Sequence, residues 1–354
     1  MIRLDDLINH TSEWLKGTGP YSSIVMSSRI RLARNFEKLP FPNKAAKKVL
    51  ADIIETVQAA INELPLFKDA ALFKISELDN VDRQFLVERH LMSHEHASHP
   101  EGKGLVISKE EVVSVMINEE DHLRIQVMQS GLNLFETWKI ISSFDDALAQ
   151  KINFAFLPEW GYLTACPTNT GTGMRGSVML HLPALVMTKQ INKVLAAISK
   201  LSFTSRGFYG EGTQASGNFF QISNQVSLGH SEDEIMQNID GIIRQVIEQE
   251  EQARQALLLQ NRPMLEDKIC RSYGVLRNAH IISSQETAEL LSMVRLGIDV
   301  GVVKDVDKAT MNELFIMIQP AHLQKIEGKK LSAPERDEKR AKLIRSKLEK
   351  PQGR

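Results

Sequence analysis

The stretch VSVMINEEDHLRIQVM, residues 113–128, sets three consecutive carboxylates between two runs of β-forming residues. Val113, Val115, Met116 and Ile117 precede the acids; Ile125, Val127 and Met128 follow them. Short β-rich runs separated by a polar break read as two strands of an antiparallel hairpin. Neighbouring side chains on a regular strand face opposite ways, so Glu119 and Glu120 can serve one site only where the strand ends or bulges. From periodicity alone, the acids are a solvated hairpin tip.

Outward from this hairpin, the chain lacks the βαβ rhythm of a parallel sheet. Segments 2–16, 43–64, 82–91, 133–152 and 188–201 have helical spacing, the first stopped by GTGP at 17–20. Strand-like runs lie at 22–35, between 71 and 128, and from 154 to 228 among glycine-rich turns. This order predicts an α+β fold, an antiparallel sheet flanked by helices, over residues 1–255. Residues 231–260 read as one long helix broken at 261–263, and 256–354 reads as an all-helical C-terminal domain.

With 354 residues, 42% hydrophobic and 25% charged, the composition is that of a folded protein with room for both domains. A formal net charge of −1 gives no bulk attraction to nucleic acid or a membrane, so any anion must be held by a local group of arginines. Cys166 and Cys270 are too few for a disulfide framework or a structural zinc site. Free thiols, the absence of an apolar signal core and the absence of an apolar run near ~18 residues predict a cytoplasmic protein.

Three motifs compete for anion or metal binding. GTGMRG (171–176) has the glycine pattern of a dinucleotide loop, but the strand-like SVMLHL follows where a helix is required. RHLMSHEHASH (89–99) gathers His90, His94, His96 and His99 without zinc-motif spacing, and reads as exposed loop histidines. The arginines are more informative. Arg29 and Arg31 are two apart and share one side of a strand, while Arg124, Arg175 and Arg206 sit beside turns or strand ends. If the five converge they cage a polyphosphate, because guanidinium forks bind phosphate oxygens bidentately.

Four blocks carry a family resemblance: SSRIRLARN (27–35), NEEDHLRI (118–125), CPTNTGTGMRGSV (166–178) and RGFYGEGTQASGNFFQISNQVSLG (206–229). In order, they resemble the signature blocks of the guanidino (phosphagen) kinases over roughly residues 20–255. Taken whole, the chain resembles the bacterial branch of that family that phosphorylates arginine side chains of proteins. Only 26 residues precede Ser27, where phosphagen kinases carry a helical domain with the loop enclosing a free guanidino metabolite. The chain also continues well beyond the long helix. Both departures imply an open site for an arginine presented on another protein.

The resemblance implies roles residue by residue. Arg29, Arg31, Arg124, Arg175 and Arg206 correspond to the arginines holding the ATP phosphates. Ser27, Ser28, Ile30, His90 and the segments Gly176, Ser177, Val178, Met179 and Gly207, Phe208, Tyr209, Gly210, Glu211 correspond to neighbouring nucleotide contacts. Glu120 matches the catalytic carboxylate, Glu119 its acidic partner, and Cys166 the cysteine beside the substrate guanidinium. Glu211 matches a glutamate on the substrate loop, and Gln221 replaces an aspartate often found near the nucleotide and magnesium. Mg2+ is expected to arrive with ATP, without metal ligands from the protein. Expected partners are proteins bearing exposed arginine, a zinc-binding activator protein, a heat-shock repressor and a Clp protease chaperone, in stress response and protein quality control. A homodimer is expected, with no direct nucleic-acid or membrane contact.

The chemistry fits these residue types. A guanidinium has a pKa above ~12 and no available lone pair, so it is a poor nucleophile near neutrality. One nitrogen must be aimed at the γ-phosphorus and lose a proton as the bond forms; a carboxylate pair can bind the fork and accept that proton. A cysteine among cations favours its thiolate, which would hold the guanidinium electrostatically. In the tail, Ser332, Pro334 and Glu335 predict a helix start. Arg336 and Arg340 then share a face, with Asp337 beside them. RDEKRA (336–341), ending at Ala341, resembles the phosphoarginine-binding motif of the same branch and implies a product-sensing allosteric site. Two other functions fit part of the pattern: a phosphagen kinase acting on free arginine, and a non-catalytic phosphoarginine-binding adaptor.

Overall fold

The hairpin at 113–128 lies within the molecule's main sheet. A computed structural model of the chain describes residues 3–64, 67, 70–207 and 216–349. Its strands are β1 (Val25–Arg34), β2 (Ala71–Lys74), β3 (Gly104–Ile107), β4 (Val113–Ile117) and β5 (Leu123–Ser130), then β6 (Phe156–Leu157), β7 (Gly161–Tyr162), β8 (Met174–His181), β9 (Phe203–Arg206) and β10 (Phe219–Asn224). Among the described residues, eight of these form an antiparallel sheet in the order β2-β3-β4-β5-β1-β8-β10-β9, with β6 and β7 as a separate small hairpin. The α+β expectation holds.

One face of the sheet is apolar. Ile30 and Leu32 of β1, Ile125 and Val127 of β5, Val178 of β8 and Ile222 of β10 are closed to solvent. Helices α1 (Lys47–Asn62), α2 (Asn80–Glu88), α3 (His94–Ser98), α4 (Leu134–Ala149), α5 (Pro183–Met187), α6 (Ile191–Lys200) and α7 (Glu232–Gln260) surround the sheet. Of these, α4 packs on β1 and β5, and α7 on β8 and β10. Each fully buried Ile or Leu there contributes about 1.5–3 kcal/mol.

The long helix begins with a reciprocal Ser231–Glu234 cap and ends at Asn261, where its sequence predicts the break. Beyond it come α8 (Arg262–Asn278), α9 (Ser284–Asp299), α10 (Lys308–Met317), α11 (Pro320–Glu327) and α12 (Ala333–Leu348). Their apolar residues, such as Leu291, Leu314 and Ile344, join the same core cluster as the sheet and α7. A buried guanidinium reinforces the junction. Arg295 of α9 donates to Asn312 Oδ1 (3.0 Å), Ser22 O (2.9 Å) and Ser23 O (3.2 Å), and lies 2.8 Å from His181 Nδ1 on β8.

Two local expectations are corrected. Residues 2–16 have helical spacing, yet the described part forms two short 3-10 turns, Leu4–Asn9 and Glu13–Leu15. Tertiary hydrogen bonds win: His10 Nδ1 lies 3.0 Å from Glu111 Oε1, and Ser12 Oγ donates to Glu111 Oε2 at 2.8 Å. The histidine-rich segment is not an exposed loop. His94–Ser98 is helix α3, capped by Ser93, and His96 is fully buried against Gly104 O.

Candidate active site

Antiparallel pairing places directly opposed residues on the same face of a sheet. Arg31 lies opposite Arg175 of β8 and Gln126 of β5, and Ala33 lies opposite Arg124. Gln221 of β10 lies opposite both Met179 of β8 and Arg206 of β9. Followed strand by strand, this register sends Arg29, Arg31, Arg124, Arg175 and Arg206 to one face, the reverse of the apolar one. All five line one cavity of about 390 Å³, together with Glu119, Glu120, Asp121, His90 and Gln221.

The acids reach this cavity because β4 ends at Ile117. Asn118 turns out of the strand with φ +61°, and its side-chain amide donates to Leu50 O and Gly102 O at 2.9 Å each. Glu119 folds inward, its side chain 3% exposed, and accepts from Arg124 Nη1 at 2.7 Å and from the Ser93 hydroxyl. Burial opposes its ionisation, but the Arg124 charge and these hydrogen bonds outweigh burial and hold the carboxyl at about 2. Glu120 is the more exposed of the pair and also lines the cavity. Asp121 is buried, which raises its pKa, and its Oδ1 accepts from Asn35 Nδ2 (2.6 Å) and Ala165 N (2.7 Å). Asp121 thus ties the acidic loop to the residue before Cys166.

Cys166 is half-buried and is not among the residues that line the cavity, its Sγ 3.0 Å from Thr168 Oγ1; Asn169 and Gly173 from the same loop do reach the cavity wall. Gly173 has φ +66°, and a Cβ there would sit 2.6 Å from Ala33 O, so the close approach of loop and β1 requires glycine.

Positive charge dominates the floor. Burial pushes the Arg29 guanidinium down to about 9, and Arg124, Arg175 and Arg206 add repulsion. Arg31 is pushed well down by burial and by Arg124, Arg29 and Arg175, with Glu119 a smaller opposing influence. The buried Nε of Arg31 has no hydrogen-bond partner among the described residues. Gln221 Oε1 accepts from Arg29 Nη2 at 2.8 Å but cancels no charge. His90, with φ +59° and its ring 5.3 Å from that of Trp14, is held down at about 3 by burial and then by Arg29, so its imidazole is neutral. Mutually repelling cations and an orphaned buried donor make a site that fits a polyanion.

The same register sends the side chains of four expected nucleotide contacts away from the cavity. Ser28, Ile30, Gly176 and Val178 alternate with the arginine-face residues and belong to the opposite face. Ser28 Oγ donates to Gly131 O (2.8 Å) and accepts from Asn133 N (2.9 Å). Ile30 and Val178 are core, and a Cβ on Gly176 would sit 2.5 Å from Ile239 of α7. Ser27, Ser177 and Met179 do lie on the arginine face, around a small annex with Trp14 and His90. Gly207 is buried just after β9, while Phe208, Tyr209, Gly210 and Glu211 lie outside the described residues. Ser93 is a site residue that sequence reading missed; its signal was its position as the N-cap of α3, accepting from His96 N at 3.0 Å.

The tail motif forms on α12 with its reciprocal Ser332–Glu335 cap. Arg336 Nη1 donates to Leu331 O at 3.0 Å. Arg340 is almost wholly buried; its Nε and Nη1 donate to Ile318 O and Ile282 O, each at 2.9 Å, and it also pairs with Asp337. Ala341 is buried beside it. Below them Glu88, at the end of α2, accepts from Ala321 N (2.8 Å) and His322 N (2.9 Å) at the start of α11. Burial raises Glu88 to about 7, against those donors and the charges of Arg336 and Arg340. Among the described residues, no group of three His, Cys, Asp or Glu is arranged to hold a metal ion.

Comparisons with known proteins show which family the chain resembles. Residues 52–253 match the ATP:guanido phosphotransferase C-terminal catalytic domain, and residues 262–354 match the protein-arginine kinase McsB C-terminal domain. A protein-arginine kinase of Halothermothrix orenii is 51% identical over 98% of this chain and 99% of its own length. That of Bacillus subtilis is 47% identical over 95% of this chain and 93% of its own. Among solved structures, a lombricine kinase aligns with TM-score 0.59 and 25% identity over 72% of this chain and 77% of its own. A duplicated taurocyamine kinase from Schistosoma mansoni, solved with transition-state-analogue components, gives TM-score 0.59 and 27% identity; the match spans 70% of this chain and 35% of that longer one.

Proposed function

The chain belongs to the ATP:guanido phosphotransferase family, among the protein-arginine kinases, and from that premise we propose how its own residues divide the reaction. The observation that carries the proposal is the sheet register, which sends five arginines from four strands to one cavity beside Glu119 and Glu120. Each arginine about 4 Å from a phosphate is worth about 4 kcal/mol at an effective dielectric of 20. Arg29, Arg31, Arg124, Arg175 and Arg206 together hold the phosphates of ATP and the charge that shifts onto them during transfer. Bound with the nucleotide, Mg2+ would supply further neutralisation of phosphate charge, while Arg29, Arg31, Arg124, Arg175 and Arg206 would supply the surrounding donors.

Glu119 and Glu120 act differently because their surroundings differ. Glu119, fixed by Arg124 and Ser93 and a weak base at about 2, orients the incoming guanidinium. Glu120 accepts the proton as a guanidino nitrogen bonds to the γ-phosphorus. The bond from that phosphorus to the bridging oxygen breaks, and ADP leaves with the electron pair. Cys166, held near the acids through Ala165 and Asp121, steadies the guanidinium from the loop beside the cavity without a covalent step.

The wider setting follows from the family: proteins with exposed arginine as substrates, marking of clients for a Clp protease in stress response, and a zinc-binding activator and heat-shock repressor as partners. Cytoplasmic location, a homodimer and phosphoarginine sensing through Arg336, Asp337 and Arg340 belong to the same proposal. No helix among the described residues is long and apolar enough to cross a membrane. The direct test is incubation with ATP, Mg2+ and casein, followed by phosphorus NMR. An N–P resonance is expected, lost in Glu120→Gln; transfer at wild-type rate in that variant would remove Glu120 from the chemistry.

A further inference from the structure

The β6–β7 hairpin carries aromatic side chains that neither the core nor the cavity uses. Phe156 is 53% exposed, Trp160 54%, Leu157 44%, and Leu228 from a neighbouring turn 42%. Isolated exposed apolar residues are ordinary, but a cluster on a rigid base marks a contact surface. This base is rigid. Tyr162 N donates to Gly171 O at 2.7 Å, and the Arg34 guanidinium lies 3.4 Å over the Tyr162 ring. A Cβ on Gly161 would fall 2.3 Å from Gly171 O, and one on Gly171 2.9 Å from Leu228 Cα, so three backbones are in direct contact. Phe156, Trp160 and Leu228 border an open basin of about 290 Å³, with Glu159 and Glu232 on its edge.

The basin adjoins the reaction cavity through a shared wall. Gly171 and Thr172 line the basin, Asn169 and Gly173 line the cavity, and Cys166 begins the same loop. We propose that this basin docks the polypeptide carrying the acceptor arginine. An apolar side chain a few residues from that arginine rests on Trp160, Phe156 and Leu228, and the segment's positive charge faces Glu159 and Glu232. The occupant is an extended, cationic substrate segment: charge complementarity and continuity with the cavity both select it. Large aromatic anchors with a charged edge are the usual seat of binding energy in such contacts. The inference rests on the reading of protein arginine as acceptor and adds how that acceptor is chosen.

The experiment compares two acceptors, casein and N-acetylarginine methylamide, with wild type and a Phe156→Ser/Trp160→Ser double variant. Both side chains are largely exposed, and thermal melting checks that the variant folds. The KM for casein should rise about tenfold while kcat, the KM for ATP and turnover of the small acceptor stay unchanged. Phe156→Leu/Trp160→Tyr, which keeps the apolar surface, should restore most of the affinity. An unchanged KM for casein, or equal loss on both acceptors, overturns the docking site. A wild-type enzyme that phosphorylates only the small acceptor overturns the protein-substrate reading and the docking site with it.

Discussion

Arg31 and Arg34 stand three residues apart on β1 and leave opposite faces of the sheet. Arg34 is fully satisfied: it binds Asp145 through Nε and Nη2, donates to Ala33 O and Thr172 O at 2.9 Å each, and stacks on Tyr162. Arg31 meets mainly other arginines, and its Nε has no partner among the described residues. The first arrangement is structural, the second is a capacity for binding. Residue type and strand are the same, so what separates the roles is the charge balance of each face. Arg340 on α12 has its Nε and Nη1 held by carbonyls and Asp337.

Replacing each arginine by methionine breaks this comparison or sharpens it. Arg34→Met strands the buried Asp145 and should cost about 3–5 kcal/mol of stability, read by denaturant unfolding. Arg31→Met should lower kcat about 10²–10³-fold while leaving stability unchanged or higher, because repulsion is relieved. Equal destabilisation in both variants would erase the distinction. Next in size, magnesium-ATP at a hundred times its Kd should stabilise the wild type by about 2.7 kcal/mol, and the shift should vanish in Arg31→Met at the same concentration.

The α12 arginines give a pH-dependent counterpart. Glu88 is raised by burial to about 7 in the folded protein from the ordinary 4.5 of a glutamate carboxyl, so the folded state holds its proton more tightly. Its contribution is full below 4.5 and is lost as pH rises through 7. Stability should fall by about 2 kcal/mol between pH 5.5 and 7.5, and Glu88→Gln should flatten that slope in melting experiments. Cys166→Ala should have the smallest effect, about a tenfold loss of kcat (about 1.4 kcal/mol), with melting unchanged. A loss as large as that of Arg31→Met would place the thiol inside the cavity during turnover.

How much of this was legible varied with the range of the interaction. The hairpin, the long helix with its break at Asn261 and the Ser332–Glu335 cap rest on neighbours within a few residues, and the chain displays those directly. Arg29 and Arg31 shared a side by alternation alone. The convergence of Arg124, Arg175 and Arg206 depended on strand register, which no local spacing encodes; the family blocks supplied the expectation. A family block marks a run of residues without its pleat, and within those runs Ser28, Ile30, Gly176 and Val178 send their side chains to the opposite face. The helical spacing of residues 2–16 does not show that Glu111, about a hundred residues away, determines the shape of residues 10–12. The burial of His96 is equally hidden, because a polar side chain says nothing about what will cover it.

Arg295 has a consequence for how this molecule can change over evolutionary time. One guanidinium joins α9 to α10, to β8 and to the backbone just before β1. Exchanging the C-terminal helices with those of a distant relative would therefore succeed only if Asn312, His181 and the 22–23 carbonyls travelled as a matched set. The two halves must evolve together, and hybrids that ignore that seam should misfold before they misfunction.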